Sequence, residues 1–70
     1  MELSKIIGKN LQEARKIKGL TQIEIAKIFH MTQQQYSRFE NGIFELNYQK
    51  IYDFCKFLET SPNELFDFKD

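Results

Sequence analysis

Two threonines eleven residues apart, Thr21 and Thr32, constrain this chain more than any other feature. Each stands where a helix would begin, because its hydroxyl can accept from a first-turn N–H that has no partner inside the helix. Glu24 follows Thr21 at the reciprocal capping-box spacing, and Ile25, Ala26 and Phe29 then supply an apolar face. His30-Met31 is a short break. Thr32 opens a second segment that runs through Glu40 and is closed by Asn41-Gly42, both of which tolerate positive φ. The spacing predicts two short helices, 21–29 and 32–40, joined by a tight turn.

The remaining residues extend the same pattern. Leu3, Ile6, Ile7, Leu11, Ala14 and Ile17 recur at helical spacing and predict a first helix over 4–18, stopped by Gly19. Residues 43–46 read as a loop. Asn47 caps a helix over 47–58 whose apolar face is Tyr48, Ile51, Tyr52, Phe54, Cys55 and Leu58. Ser61-Pro62, a cap followed by Pro at the first helical position, opens a last helix over 62–66. With one Pro, three Gly and little alternating pattern, the expectation is an all-α, compact five-helix domain over 1–70.

Seventy residues form a small core, burying about 60% of the surface that the unfolded chain exposes. Seven Phe help to fill it. One Cys and one His provide neither a disulfide framework nor a zinc site, so no cofactor is expected. Cys55 is expected to be packing. The absence of a signal-like or membrane-length apolar run points to a cytoplasmic protein without a membrane partner.

The formal net charge is zero, yet its distribution is uneven. Residues 1–38 carry seven Lys or Arg against three Glu, and residues 39–70 carry the reverse, three against seven. A basic first half suits a polyanion, and the acidic half would turn away from it.

On a helix advancing about 100° per residue, Tyr36 and Phe39 define the inward side of the segment 32–40. Gln33, Gln34, Ser37 and Arg38 then face outward, with Gln35 and Glu40 at the flanks. Such groups can read base edges, since Gln pairs bidentately with adenine and Arg with guanine. A capped helix, a tight break and a second capped helix make a helix-turn-helix, a motif whose second helix enters the major groove.

The stretch from Ile7 to Phe66 resembles the lambda-repressor-like (Cro/CI, or XRE-type) helix-turn-helix DNA-binding domains. The matching pieces are Leu20-Thr21-Gln22, Ile25-Ala26, Met31-Thr32, Ser37-Arg38-Phe39-Glu40-Asn41-Gly42 and Ser61-Pro62-Asn63-Glu64-Leu65-Phe66. The resemblance implies a transcriptional regulator, a repressor in the first instance, that binds double-stranded DNA as a homodimer on a pseudo-palindromic site. No small-molecule effector is evident. It implies base reading by Gln33 and Gln34 in the lead, with Thr32, Ser37 and Arg38. It also implies phosphate contact by Gln22, which is placed to brace a glutamine of the recognition helix as well, and by Asn41; Gln35 at the flank and the basic Lys9 and Lys27 are further candidate phosphate contacts. Arg15 and Glu40 occupy positions that pair in some members.

Two departures bear on this reading. His30 stands where the family often has Gly, a position that His can occupy at positive φ. Ile43-Phe44-Glu45 follows Gly42 where Lys or Arg is common, so a phosphate clamp is missing, and Lys5, Lys9, Lys18 and Lys27 are left to compensate. Ile43, Phe44, Phe57 and Phe68 are hard to fit into one small core, which predicts an exposed apolar patch. The expected dimer surface is Phe44, Ile43, Phe66 and Phe68. Catalysis is not expected, because one His and one Cys offer no supported nucleophile–base constellation. The alternative to a DNA reader is a protein-interaction module on the same fold.

Overall fold

The computed structural model describes residues 2–68, and every regular element among them is an α-helix. α1 spans Leu3–Ile17, α2 Gln22–Ile28, α3 Gln33–Glu40, α4 Tyr48–Leu58 and α5 Pro62–Phe66. Thr21, Thr32, Asn47 and Ser61 sit at the N-caps.

Local chemistry sets these boundaries. Thr21, Thr32 and Ser61 each accept from the N–H three residues on, and the side chains of Glu24, Gln35 and Glu64 return a bond to the cap residue's own N–H. Asn47 accepts from the Lys50 N–H at 2.8 Å. α1 is followed by Gly19 at φ 80° and α2 by His30 at φ 56°. The His30 conformation costs about 1–2 kcal/mol for a residue with a Cβ, and Gly42 at φ 73° performs the corresponding reversal after α3 without that cost.

α1 packs across α3 and α5, α2 lies against α3, and α4 lies against α5. Leu11, Ile25, Ala26, Tyr36, Phe54 and Leu65 are fully buried, with Ile7, Cys55 and Leu58 completing the core. Phe54 is its hub, with ring centroids 4.6 Å from Phe29, 5.8 Å from Tyr36 and 6.3 Å from Phe39. These tilted and edge-on contacts are favourable aromatic geometries, and they seat α2 and α3 on one side chain of α4. Asn10 on α1 donates to the carbonyls of Glu64 and Leu65 at 3.3 and 2.9 Å, which satisfies the end of the short α5.

Periodicity overstated the core at the helix ends. Ile17 and Tyr48 are each 87% exposed, and Leu3 and Tyr52 are also exposed. Ile17 lies in the last turn of α1, and Leu3 and Tyr48 in the first turns of their helices, where the covering neighbours stop short. Tyr52 sits roughly 100° around α4 from Ile51, off the inward face. Phe57, by contrast, finds a place: it packs edge-on against Phe29 at 5.4 Å, with Lys18 Nζ 5.3 Å from its ring centre.

Gly8 marks the closest approach of two helices. A Cβ there would lie 2.6 Å from the Phe39 carbonyl oxygen and closer still to that of Glu40. The last turn of α3 thus rests directly on the backbone of α1.

Candidate nucleic-acid interface

The inward anchors of α3 determine what it shows outward. Tyr36 is fully buried and Phe39 partly so, which leaves Gln33, Gln34 and Arg38 exposed and Ser37 half-exposed. These four side chains line one shallow groove. The Gln35 side-chain oxygen accepts from the Thr32 N–H at 3.0 Å, so only its NH2 end remains for an outside acceptor. Asn41 donates to Ser37 Oγ at 3.2 Å. The Arg38 guanidinium lies 5.3 Å from the centre of the Phe44 ring, a cation–π distance. Ile43 and Phe44 donate their N–H groups to the Arg38 carbonyl at 2.9 and 3.2 Å, folding the loop back on the end of α3.

A polar chain runs from a buried ion pair out to this face. Arg15 Nε and Nη2 donate to the two Glu40 carboxylate oxygens at 2.6 and 3.2 Å, and Nη1 donates to the Leu20 carbonyl at 2.7 Å. The two side chains are only 8% and 1% exposed. Gln22 Nε2 donates to Glu40 Oε1 at 2.9 Å, and Gln33 Nε2 donates to Gln22 Oε1 at 3.4 Å. Burial opposes charge on Glu40, but the donors around it, Arg15 first, outweigh burial and hold the carboxyl below its ordinary value. The same bond to Glu40 raises the Arg15 value. The Tyr36 hydroxyl is buried against this pair with no hydrogen-bond partner among the described residues. Burial, and then the adjacent Glu40 carboxylate, push its value upward, so it stays neutral.

The lysines divide by position. The side chain of Lys5 runs past Gly42, where a Cβ would lie 2.7 Å from Lys5 Cγ, so its stem is held beside the Asn41–Gly42 end of α3. Lys18 is engaged elsewhere, 3.5 Å from Glu59 and over Phe57. Lys9 is exposed on α1, and Lys27 lies in the last turn of α2, at the end away from Gln22. Neither is drawn into the Gln22–Gln33 cluster.

The residues expected to form an apolar patch also divide. Ile43 and Phe68 are each 67% exposed. Phe66 is half-buried against the core rather than free, and Phe44 packs edge-on against Phe39 at 5.8 Å. Leu3, Ile7, Phe39, Phe44, Leu46 and Phe66 line an apolar cleft next to the loop. Cys55 is buried, and burial, followed by the charge of Glu64, pushes its thiol upward, which suits packing rather than nucleophilic chemistry. Among the described residues no group of three or more His, Cys, Asp or Glu could hold a metal ion, and no helix is long and apolar enough to cross a membrane.

The link from Gln22 to Glu40 is the feature that sequence reasoning missed. It joins residues 18 apart across the α2–α3 turn, and no periodicity carries a signal for it. What the site offers chemically is a helix face of amide, hydroxyl and guanidinium groups that can donate and accept hydrogen bonds.

Comparison with known proteins agrees with this geometry. The helix-turn-helix family profile matches residues 11–65. The chain is 36% identical over 56 residues to the antitoxin PezA of Streptococcus pneumoniae serotype 4 (strain ATCC BAA-334 / TIGR4), a match covering 80% of this chain and 35% of that protein. The chain thus spans about a third of that relative's length. No solved structure matches the chain. The five helices among the described residues, four of them with side-chain N-caps, the tight α2–α3 turn and the profile match lead to one assignment: the chain belongs to the lambda-repressor-like, XRE-type helix-turn-helix family of DNA-binding domains.

Proposed function

We propose that this protein is a sequence-specific regulator of transcription that inserts α3 into the major groove of double-stranded DNA and represses from a pseudo-palindromic site as a two-fold dimer. The observation that carries this reading is the outward face of α3, where Gln33, Gln34, Ser37 and Arg38 share one groove above a fully buried Tyr36. Gln33 and Gln34 read base edges, with Arg38, Ser37 and Thr32 in support. Gln22, Asn41 and the NH2 end of Gln35 grip phosphates beside them, and Lys5, Lys9 and Lys27 add diffuse positive charge. Arg38 reaches less far than a free arginine would, because Phe44 holds its guanidinium.

A second reading, a protein-interaction module on the same fold, is favoured by exposed Ile43 and Phe68, by the apolar cleft lined by Phe39, Phe44 and Phe66, and by similarity to a protein named an antitoxin. The same surface serves as the dimer contact in the first reading.

Selection from a random duplex pool separates the two, followed by a salt titration of the winning sequence. A DNA reader enriches an inverted repeat and loses affinity steeply with salt. Gln33→Ala or Gln34→Ala then costs about 1–3 kcal/mol at the preferred site and relaxes preference at one position. An unchanged preference in the double variant refutes base reading, and no enrichment from the pool favours the interaction module.

A further inference from the structure

The Arg15–Glu40 pair ties α1 to α3, but Glu40 does more than such a brace requires. Its Oε1 accepts from both Arg15 Nη2 and Gln22 Nε2. An ionised carboxylate can only accept hydrogen bonds. Gln22 must therefore turn its NH2 end toward Glu40, because the flipped amide would set two oxygens 2.9 Å apart in a site where Glu40 is 1% exposed. The amide is planar, so Gln22 Oε1 is left facing the other way, toward Gln33. Gln33 answers with its own NH2 end, which leaves its Oε1 and one remaining N–H for whatever lies outside.

From this chain of bonds we infer that Glu40 is a positioning residue for base choice: acting through Gln22, it sets which end of the Gln33 amide faces the base pair. The inference rests on the base-reading role of Gln33 proposed above. An adenine edge offers an acceptor at N7 beside a donor at N6, whereas guanine offers two acceptors. An amide of fixed polarity matches the first and leaves its oxygen against an acceptor in the second. An amide free to rotate can turn its NH2 group toward guanine. Glu40 thus acts on the choice between purines without touching DNA itself.

The test measures binding to duplexes that differ only in A·T or G·C at the base pair Gln33 contacts, with thermal unfolding of each variant alongside. Gln22→Met removes the middle of the chain and leaves the Arg15–Glu40 pair intact. It should lower discrimination between the two duplexes about three- to tenfold, part of the roughly 5–150-fold that one bidentate contact supplies, with little change in melting temperature. Glu40→Gln should lower it similarly, because an amide can offer Gln22 either end. Exchanging the two groups, Gln22→Glu with Glu40→Gln, keeps an acceptor in front of Gln33 and should restore discrimination. A purely structural role for Glu40 would weaken binding to both duplexes equally, and that result overturns the inference. So does full discrimination in Gln22→Met, or failure of the folded exchange to restore it. Should either Glu40 variant fail to fold, Gln22→Met decides alone. Gln33→Ala separates the two levels. If it abolishes discrimination while Gln22→Met does not, base reading stands and the role of Glu40 falls. If Gln33→Ala changes nothing, both fall.

Discussion

Gly8→Ala is the substitution for which helix propensity and tertiary packing predict opposite signs. In the middle of an isolated helix the change should stabilise by about 1 kcal/mol, because Ala is the better helix former. Here the added methyl would meet the Phe39 carbonyl oxygen at 2.6 Å and come closer still to that of Glu40. Both obstacles are backbone atoms in the last turn of α3, so no side-chain rotation relieves the clash. α1 and α3 must separate by roughly 0.5–1 Å, a gap that forfeits a quarter to a half of the contact energy along the seam. Overpacking of this kind costs about 1–3 kcal/mol, and where backbone resists backbone the upper part of that range applies. After the propensity gain, the net loss is about 1–2 kcal/mol. For a domain of this size that lowers the melting temperature by about 5–15 °C. Thermal unfolding followed by far-ultraviolet circular dichroism reads this directly, with Lys9→Ala on the exposed side of the same helix as a control that should move by less than about 0.5 kcal/mol. A melting temperature for Gly8→Ala equal to or above the parent value would mean that the α1–α3 contact is looser than described and that propensity governs the site.

The buried ion pair supports two further predictions. Arg15→Met strands the Glu40 charge and should cost about 3–5 kcal/mol in urea unfolding at neutral pH, whereas Arg15→Met with Glu40→Leu should recover most of that loss, and equal costs for the two would refute the pairing argument. Because Glu40 titrates below its ordinary value, its contribution is fully present well above the ordinary carboxylate value of about 4.3 and is lost as pH falls through the lowered folded value, so parent stability should decline on acidification below about pH 5. In Arg15→Met the stranded carboxyl is instead pushed upward, so the cost of that substitution should shrink as pH falls, and a cost independent of pH would count against the assignment.

Much of the architecture was legible because it is written in local chemistry. Thr21-Glu24, Thr32-Gln35 and Ser61-Glu64 each close reciprocal bonds within three residues, and bonds that short depend little on the rest of the chain. The inward side of α3 was equally readable, since two aromatics in eight residues can face only one way. Apolar spacing served less well where a helix outruns its neighbours. Ile17 and Tyr48 satisfy the pattern yet face solvent, because periodicity names a side of a helix but not how far along it the covering element extends. Phe66, expected at a dimer surface, is half-buried against the core within a single chain.

Sequence by itself determined where the five helices among the described residues start and stop, and which face of α3 carries the glutamines, because caps, breaks and helical periodicity act over a few residues. Tertiary structure alone decided what those glutamines are attached to. The contact of Gly8 with the end of α3, the burial of Arg15 on Glu40 and the bonds from Glu40 to Gln22 and on to Gln33 join residues far apart in the chain. Such contacts have no spacing rule, since their geometry exists only once α1, α2 and α3 have packed and excluded water from the charges between them.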